Sequence, residues 1–460
     1  MNERIVIIGG GPTGLGCAYR LAELGCESFQ LYEANDYVGG LAASFVDRNG
    51  FTWDVGGHVL FSHYAYFDEL LARLLGGRFL NHNRASWIRI GDRFVPYPFQ
   101  NNLRYLPKEV MSECLSGLQR VAANRNGTSK NFLEWILEMF GDGIAKYFMQ
   151  PYNEKVWAYP LEKMSENWIA ERVSVVDYQR ALQNVLQQRD DVSWGPNSAF
   201  KFPLEGGTGA IYRAFLPYLG AHVSLRKRCA RINTEKRTVL FENGEETGYD
   251  RLVSTAPLTE LVSMLEPAKP DLVLAAKSLV RTSGIMVGLG FSRPCPSDKC
   301  WMYFPETRAP FYRLTYFSNY SPKNVPDDNS FSLMAEISYS PYRELEKSNV
   351  INDTIEGLVQ TGVIQREWAA DISSTHVIDV PFSYPVPTME RDRALSAIVP
   401  ALDKEGIYTR GRFGLWIYEI GNMDHSVMQG VELADFLLND APQSVIKPYS
   451  FLFGGKNAID

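Results

Sequence analysis

Residues 4–25 read RIVIIGGGPTGLGCAYRLAELG. Ile5–Ile8 is a short run of branched apolar residues, the pattern of a buried strand. Gly9-Gly10-Gly11-Pro12-Thr13-Gly14 follows, and apolar residues then recur at helical spacing until Gly25. Residues 28–33, SFQLYE, form a second strand that ends on an acid. Strand, glycine turn, helix and strand make a βαβ start, which is the context that G-x-G-x-x-G needs to mean dinucleotide binding. In that context Gly9 makes the tight turn, Gly11 lets backbone approach a pyrophosphate, and Gly14 lets helix pack on strand. Pro12 and Thr13 open the helix, whose N-terminus faces the phosphates. Glu33 lies 19 residues after Gly14, where an acid accepts from ribose hydroxyls.

The next residues choose the dinucleotide. EANDYVGGLAAS (33–44) carries a second glycine pair soon after the acid, with Gly40, Leu41 and Ser44 as candidate contacts. An NAD domain runs on to a third strand here, whereas a second glycine-rich loop resembles flavoproteins of the glutathione-reductase and amine-oxidase type. FPLEGGTGAIYRAF (202–215), LVSTAPL (252–258) and RGRFG (410–414) resemble further elements of that superfamily. The last of these precedes a helix whose N-terminus would face the flavin pyrimidine, where negative charge collects on reduction. The implied cofactor is FAD. No His or Cys stands in a recognised attachment motif, so it is expected to be noncovalent.

Composition narrows the classes. A chain of 460 residues is too long for one core. A net charge of −7 argues against broad nucleic-acid binding but leaves room for an anion held by local arginines. The apolar runs fall short of the roughly 20 residues of a membrane span. The N-terminal run is also too short for a signal-peptide core, which gives the expectation of a cytoplasmic protein without membrane association. Six cysteines without a CxxC pair read as reduced thiols, and six scattered histidines give no metal site.

The pattern along the chain is βαβ, then mostly helix from Tyr64 to about Gln188, then short strands over 222–254. Candidate sheet strands follow at 283–291, 300–304, 311–317 and 331–338, and a final strand leads into the helix DHSVMQGVELADFLL. The expected fold is α/β: a Rossmann-like FAD-binding domain with an inserted helical domain and an inserted antiparallel β-sheet domain. The expected division is 1–63, 200–265 and 400–460 for the discontinuous FAD-binding domain, 64–199 for the helical domain, and 266–399 for the substrate domain.

Six stretches extend the resemblance. DVGGHVLFSHYAYF (54–67), VPYPFQNN (95–102), MQPYNEKVWAYP (149–160), WIAERV (168–173), FYRLTYFSNYSP (311–322) and GRFGLWIYEIGNMDHS (411–426) resemble UDP-galactopyranose mutases of the eukaryotic type. Such enzymes interconvert UDP-galactopyranose and UDP-galactofuranose by attack of reduced flavin N5 on the anomeric carbon, with no net redox. The resemblance implies that Gly57 and His58 lie against the flavin, and that Arg172 and Arg313 hold the diphosphate with tyrosine donors Tyr303, Tyr320, Tyr384 and Tyr418. It implies Tyr97 and Phe148 as the uracil stacking pair, with Gln100 and Asn153 as polar contacts. Trp157, Asn197 and Trp301 would lie near ribose or galactose, and Arg412, Asn422, Met423 and Ser426 near the flavin. NADPH is implied as reductant. The oligomeric state stays open, a homo-oligomer included. Met423 departs from a family Gln and Ile417 from a family Arg, and KNVPDDNSFS (323–332) is shorter than usual. Three rivals stay open: an amine-oxidase-like oxidoreductase, a mutase for another sugar nucleotide, and a non-catalytic flavin binder.

Overall fold

The structure, a computed structural model, describes residues 3–124, 127–169, 173–192, 195 and 198–453. Ile5–Ile8 is the middle strand of a five-stranded parallel sheet in the order Ile407–Thr409, Arg251–Ser254, Ile5–Ile8, Phe29–Tyr32, Val223–Ser224. Both faces of its centre are covered, so Val6 and Ile7 are fully buried, as an all-parallel sheet requires. The five strands come from stretches far apart in the chain, and this is the expected discontinuous nucleotide-binding sheet.

Helix Pro12–Glu23 packs directly on the last helix, Met423–Asn439. Glycine makes the approach possible: a Cβ on Gly430 would overlap the Thr13 carbonyl, and one on Gly16 would sit 2.6 Å from the Val427 carbonyl oxygen. The final helix runs for 17 residues, the four-odd turns that its pattern predicts.

A seven-stranded sheet stands beside this body, in the order Ile372–Pro385, Arg281–Phe291, Phe331–Tyr339, Arg313–Tyr316, Trp301–Tyr303, Ser86–Ile90, Arg93–Pro96. Its neighbours run antiparallel except Trp301–Tyr303 with Ser86–Ile90, which run parallel. The four strands expected between 283 and 338 are all in it. Phe331–Tyr339 sits between Arg281–Phe291 and Arg313–Tyr316 and is buried along most of its length.

One expectation fails here. Residues 79–96 are not helical: Phe79–Asn83 pairs with Ala199–Pro203, and Ser86–Ile90 with Arg93–Pro96 joins the large sheet. SWIRI and RFVP are short segments whose state is set by the strands that they meet. The true helices of this stretch are Ala65–Leu75, Lys108–Asn124, Phe132–Ile144, Gln150–Trp157 and Tyr178–Leu186. Asn131 caps the third, its Oδ1 accepting the Glu134 N–H at 3.0 Å. Between the third and fourth lies a π turn, Ala145–Met149, a feature common near functional sites, and it carries Phe148. Among the described residues no helix is long and apolar enough to cross a membrane. The six cysteines are free thiols.

Candidate active site

The glycine loops build one half of the site. Gly9 has φ +104°, and a Cβ on Gly14 would overlap the Gly9 carbonyl oxygen, so turn and helix start are in contact. A Cβ on Gly11 would meet no protein atom. The space above Gly11 is open, and helix Pro12–Glu23 begins there without a side-chain cap. Glu33 is buried. Its Oε2 accepts the Gly10 N–H at 2.6 Å, and its Oε1 accepts the N–H and side-chain amide of Asn35, both at 2.8 Å. The second loop docks on the first: Gly39 N–H donates to Gly10 O at 2.8 Å, and a Cβ on Gly40 would lie 3.3 Å from Gly11 Cα. Leu41 follows in the same short turn.

Ser44 is held by two protein partners. Its hydroxyl donates to Asp54 and accepts the Gly209 N–H at 2.6 Å, so it is engaged within the protein. Asp54 also accepts the Thr208 hydroxyl at 2.6 Å, and burial pushes its carboxyl up to about 6.

Gly56-Gly57-His58 runs across the large sheet. Neither glycine has a positive φ. Glycine is required at 57 for space, because a Cβ there would overlap the Thr315 hydroxyl. His58 N–H donates to Gly56 O at 2.7 Å, and its Nδ1 is buried with no protein partner. Burial holds the imidazole down near 4; Glu336 pulls it upward, and Arg313 and Arg412 push it lower. His58 is therefore neutral at physiological pH, with an unsatisfied buried nitrogen.

Arg313 and Glu336 lie opposite one another on adjacent strands. Arg313 Nε donates to Oε1 at 2.5 Å and Nη2 to Oε2 at 2.6 Å. Tyr312 OH donates to Oε2 at 2.8 Å, and Tyr384 OH stands 3.2 Å from Tyr312 OH. Burial acts to raise the Glu336 carboxyl, but Arg313, Tyr312 and the Gly57 N–H together hold it below its ordinary value. Arg412 continues the cluster. Its guanidinium sits 5.0 Å from the Tyr384 ring centre and 5.4 Å from that of Tyr418, and donates to Gly421 O at 3.2 Å. Trp157 packs edge-on against Tyr418 at 5.0 Å and Tyr384 at 5.8 Å. Burial raises the hydroxyls of Tyr303, Tyr312, Tyr320 and Tyr384, so they are neutral donors at pH 7.

The expected base slot is joined to this cluster by rings. Tyr97 meets Tyr303 at 5.4 Å, Tyr303 meets Tyr152 at 5.2 Å, and Tyr152 stacks on Phe148 at 5.3 Å. Arg84 lies 4.9 Å over the Tyr97 ring. Gln100 donates its amide N–H to Ser174 O, leaving a buried Oε1 without a partner. Asn153 Nδ2 donates back to Met149 O at 2.7 Å. Tyr320 is wholly buried, with its ring 5.3 Å from Phe200 and 5.2 Å from Phe202, and its hydroxyl has no partner. Trp301 lies 5.9 Å from the same Phe200.

At the far side Asn422 stands at the N-terminus of the last helix, followed by Met423, and Ser426 N–H donates to Asn422 O at 2.8 Å. Asp424 Oδ2 takes both the His63 N–H, at 3.2 Å, and His63 Nδ1, at 2.7 Å, while His425 Nδ1 meets Tyr64 OH at 2.7 Å. Histidines that look scattered in sequence thus meet: ligand atoms of His63, Asp424 and His425 all fall within 4.8 Å. Both Nδ1 atoms are taken by protein groups, and the helix N-termini beside them disfavour a cation. The group ties the 54–64 loop to the helix Met423–Asn439.

Arg172 and Asn197 lie outside the described residues. Sequence reading missed Glu336, Tyr312, Tyr152 and Arg84. Glu336 had a signal, a single acid inside the buried strand FSLMAEISY, since such an acid needs a partner.

The arrangement fits a flavin dinucleotide, with open space above Gly11, two helix N-termini lacking side-chain caps, and the orphaned His58 nitrogen. Known proteins agree. Residues 12–388 match the family of flavin-containing amine oxidoreductases. The solved structure of a reduced UDP-galactopyranose mutase superposes with TM-score 0.94 and 42% identity, covering 100% of this chain and 98% of that one. A 15-cis-phytoene desaturase of Glycine max is 39% identical over 95% of this chain and 80% of its own length; that of an Oncidium hybrid cultivar is 24% identical over 95% and 78%. A putative protoporphyrinogen oxidase from Exiguobacterium sp. 255-15 shares the fold, with TM-score 0.72 and 17% identity over 95% of this chain and 99% of that one. The chain belongs to the flavin-containing amine oxidoreductase family, on the branch that the UDP-galactopyranose mutases occupy.

Proposed function

We propose that the protein interconverts UDP-galactopyranose and UDP-galactofuranose on a reduced FAD, with no net redox. The observation that carries this reading is the polar cage that Arg313, Tyr312 and the Gly57 N–H build on Glu336 and that continues through Tyr384 to Arg412 and Tyr418. An apolar polyene of the kind that a desaturase accepts has no use for such a cage, whereas a diphosphate does.

When bound and reduced, the flavin supplies a nucleophile, its N5, for the sugar anomeric carbon. The protein's residues do the rest. Gly11, Glu33 and Gly40 hold the dinucleotide, with Asn422, Met423 and Ser426 at the flavin-facing helix. Gly57 and His58 wall the ring, and His58 stays neutral there. Arg172 and Arg313 grip the departing diphosphate, which stabilises charge where it develops. Tyr303, Tyr320, Tyr384 and Tyr418 add hydroxyl donors. Tyr97 and Phe148 enclose the uracil, with the free Oε1 of Gln100 available to its N–H and Asn153 beside it. Trp157, Asn197 and Trp301 flank the sugars and position the anomeric carbon.

NADPH as electron source, a cytoplasmic location and the three-region division of the chain belong to the same proposal. The family resemblance supports the first, and free thiols at all six cysteines are consistent with the second. The test is incubation of dithionite-reduced protein with UDP-galactopyranose, with products separated by chromatography. UDP-galactofuranose is expected from reduced protein alone. Its absence from reduced, flavin-loaded protein, or stoichiometric loss of reductant, overturns the reading.

A further inference from the structure

Glu336 is the single acid of the buried strand Phe331–Tyr339, and four donors converge on it. Two come from Arg313, its register partner on the next strand. One is the Tyr312 hydroxyl. The fourth comes from the 54–64 loop: the Gly57 N–H donates to Oε1 at 3.2 Å. Oε1 is thus shared between Arg313 Nε and the Gly57 peptide, while Oε2 is shared between Arg313 Nη2 and Tyr312.

Two consequences follow. The Nε and Nη2 edge of the guanidinium is already filled, so Arg313 presents its Nη1 side to an incoming anion, and its charge is balanced until one arrives. The Gly57 peptide also has a fixed orientation. Its N–H is held by the same carboxylate, and the Thr315 hydroxyl packs against that residue closely enough to exclude a Cβ. We propose that Glu336 is a positioning residue that sets both the arginine on the substrate side and the peptide on the flavin side of the site. The proposal rests on the mutase reading for what Arg313 grips, and on the flavin fit for what Gly57 faces.

The test uses full-length, flavin-loaded protein: wild type, E336Q and E336D. The first measurement is the midpoint potential of bound flavin without substrate. E336Q removes the negative charge and leaves one acceptor oxygen for the four donors, so the potential moves positive. E336D keeps the charge at shorter reach and lies between the two. The second is steady-state turnover of UDP-galactopyranose by reduced enzyme. In E336Q kcat falls about ten- to a hundredfold. KM falls as well, because an uncompensated Arg313 holds the ground-state diphosphate more tightly. E336D recovers part of kcat.

A merely structural glutamate gives lower flavin occupancy with an unchanged potential, and a raised KM with unchanged kcat; either result overturns the proposal. If E336Q does not fold, E336D decides, and a wild-type potential in E336D overturns it. Wild-type protein that shows no mutase turnover removes the functional reading, and the potential arm still decides Glu336.

Discussion

Arg391 grips Glu419 with both terminal nitrogens, Nη1 to Oε2 and Nη2 to Oε1, each at 2.9 Å, and both side chains are buried. Glu419 follows Tyr418 directly, so the pair anchors the segment that leads from Tyr418 into the helix Met423–Asn439. Removing one partner breaks a buried pair, which costs about 3–5 kcal/mol. Arg391→Ala is therefore expected to lower stability by that amount in denaturant unfolding. A double change, Arg391→Met with Glu419→Leu, is expected to recover most of it. A neutral single change would show that the pair does not hold the segment.

Gly11 and Gly14 separate binding from packing. A Cβ on Gly14 overlaps the Gly9 carbonyl oxygen, whereas one on Gly11 meets no protein atom. Gly14→Val is expected to yield little folded protein. Gly11→Ala is expected to fold with wild-type stability and lose FAD affinity by about tenfold or more, a difference of about 1.4 kcal/mol. Flavin titration of the deflavinated proteins checks this, and undiminished affinity in Gly11→Ala would move the pyrophosphate elsewhere.

Arg313→Ala is expected to lower turnover about 10²–10³-fold while FAD stays bound. Absorbance of the bound flavin and product analysis on the same sample check both halves. Wild-type turnover would place the diphosphate grip away from Arg313.

The loop of Gly57 and His58 responds to size more than to chemistry. Gly57→Val overlaps the Thr315 hydroxyl and crowds Glu336, so it is expected to reduce turnover far more than His58→Asn. The penalty is spatial, not conformational, because Gly57 has no positive φ. Gly57→Val together with Thr315→Ala is then expected to recover part of the loss, and no recovery would contradict the spatial cause.

His58 gives a pH signature. Its folded value lies near 4 against an ordinary 6.5, so the folded state resists the proton that the unfolded chain accepts. Its contribution to stability is present above 6.5 and is lost as pH falls toward 4. The stability difference between wild type and His58→Asn is expected to narrow across that window in flavin-free protein. A ring resonance of His58 titrating near 6.5 would refute it.

The nucleotide-binding half is legible in the amino-acid sequence. Ile5–Ile8, the glycines after it and Glu33 are local to one another, and their meaning depends on contacts within one βαβ unit. The long final helix is legible for the same reason, since its period is local. Residues 79–96 escape such a reading because short segments take their state from distant partners, here Trp301–Tyr303 and Ala199–Pro203.

In the site itself, residue types along the chain are enough to specify the kinds of chemistry: a glycine-lined dinucleotide cradle, an arginine at 313 and a surplus of tyrosines. Folding in three dimensions adds which tyrosines share one cluster, that Ser44 is engaged with Asp54 and Gly209, and that a carboxylate 23 residues from Arg313 fills one edge of its guanidinium. The difference comes from register. Cross-strand pairing places Glu336 opposite Arg313, and the loop crossing that sheet delivers Gly57 to the same oxygen; neither relation has a period along the chain.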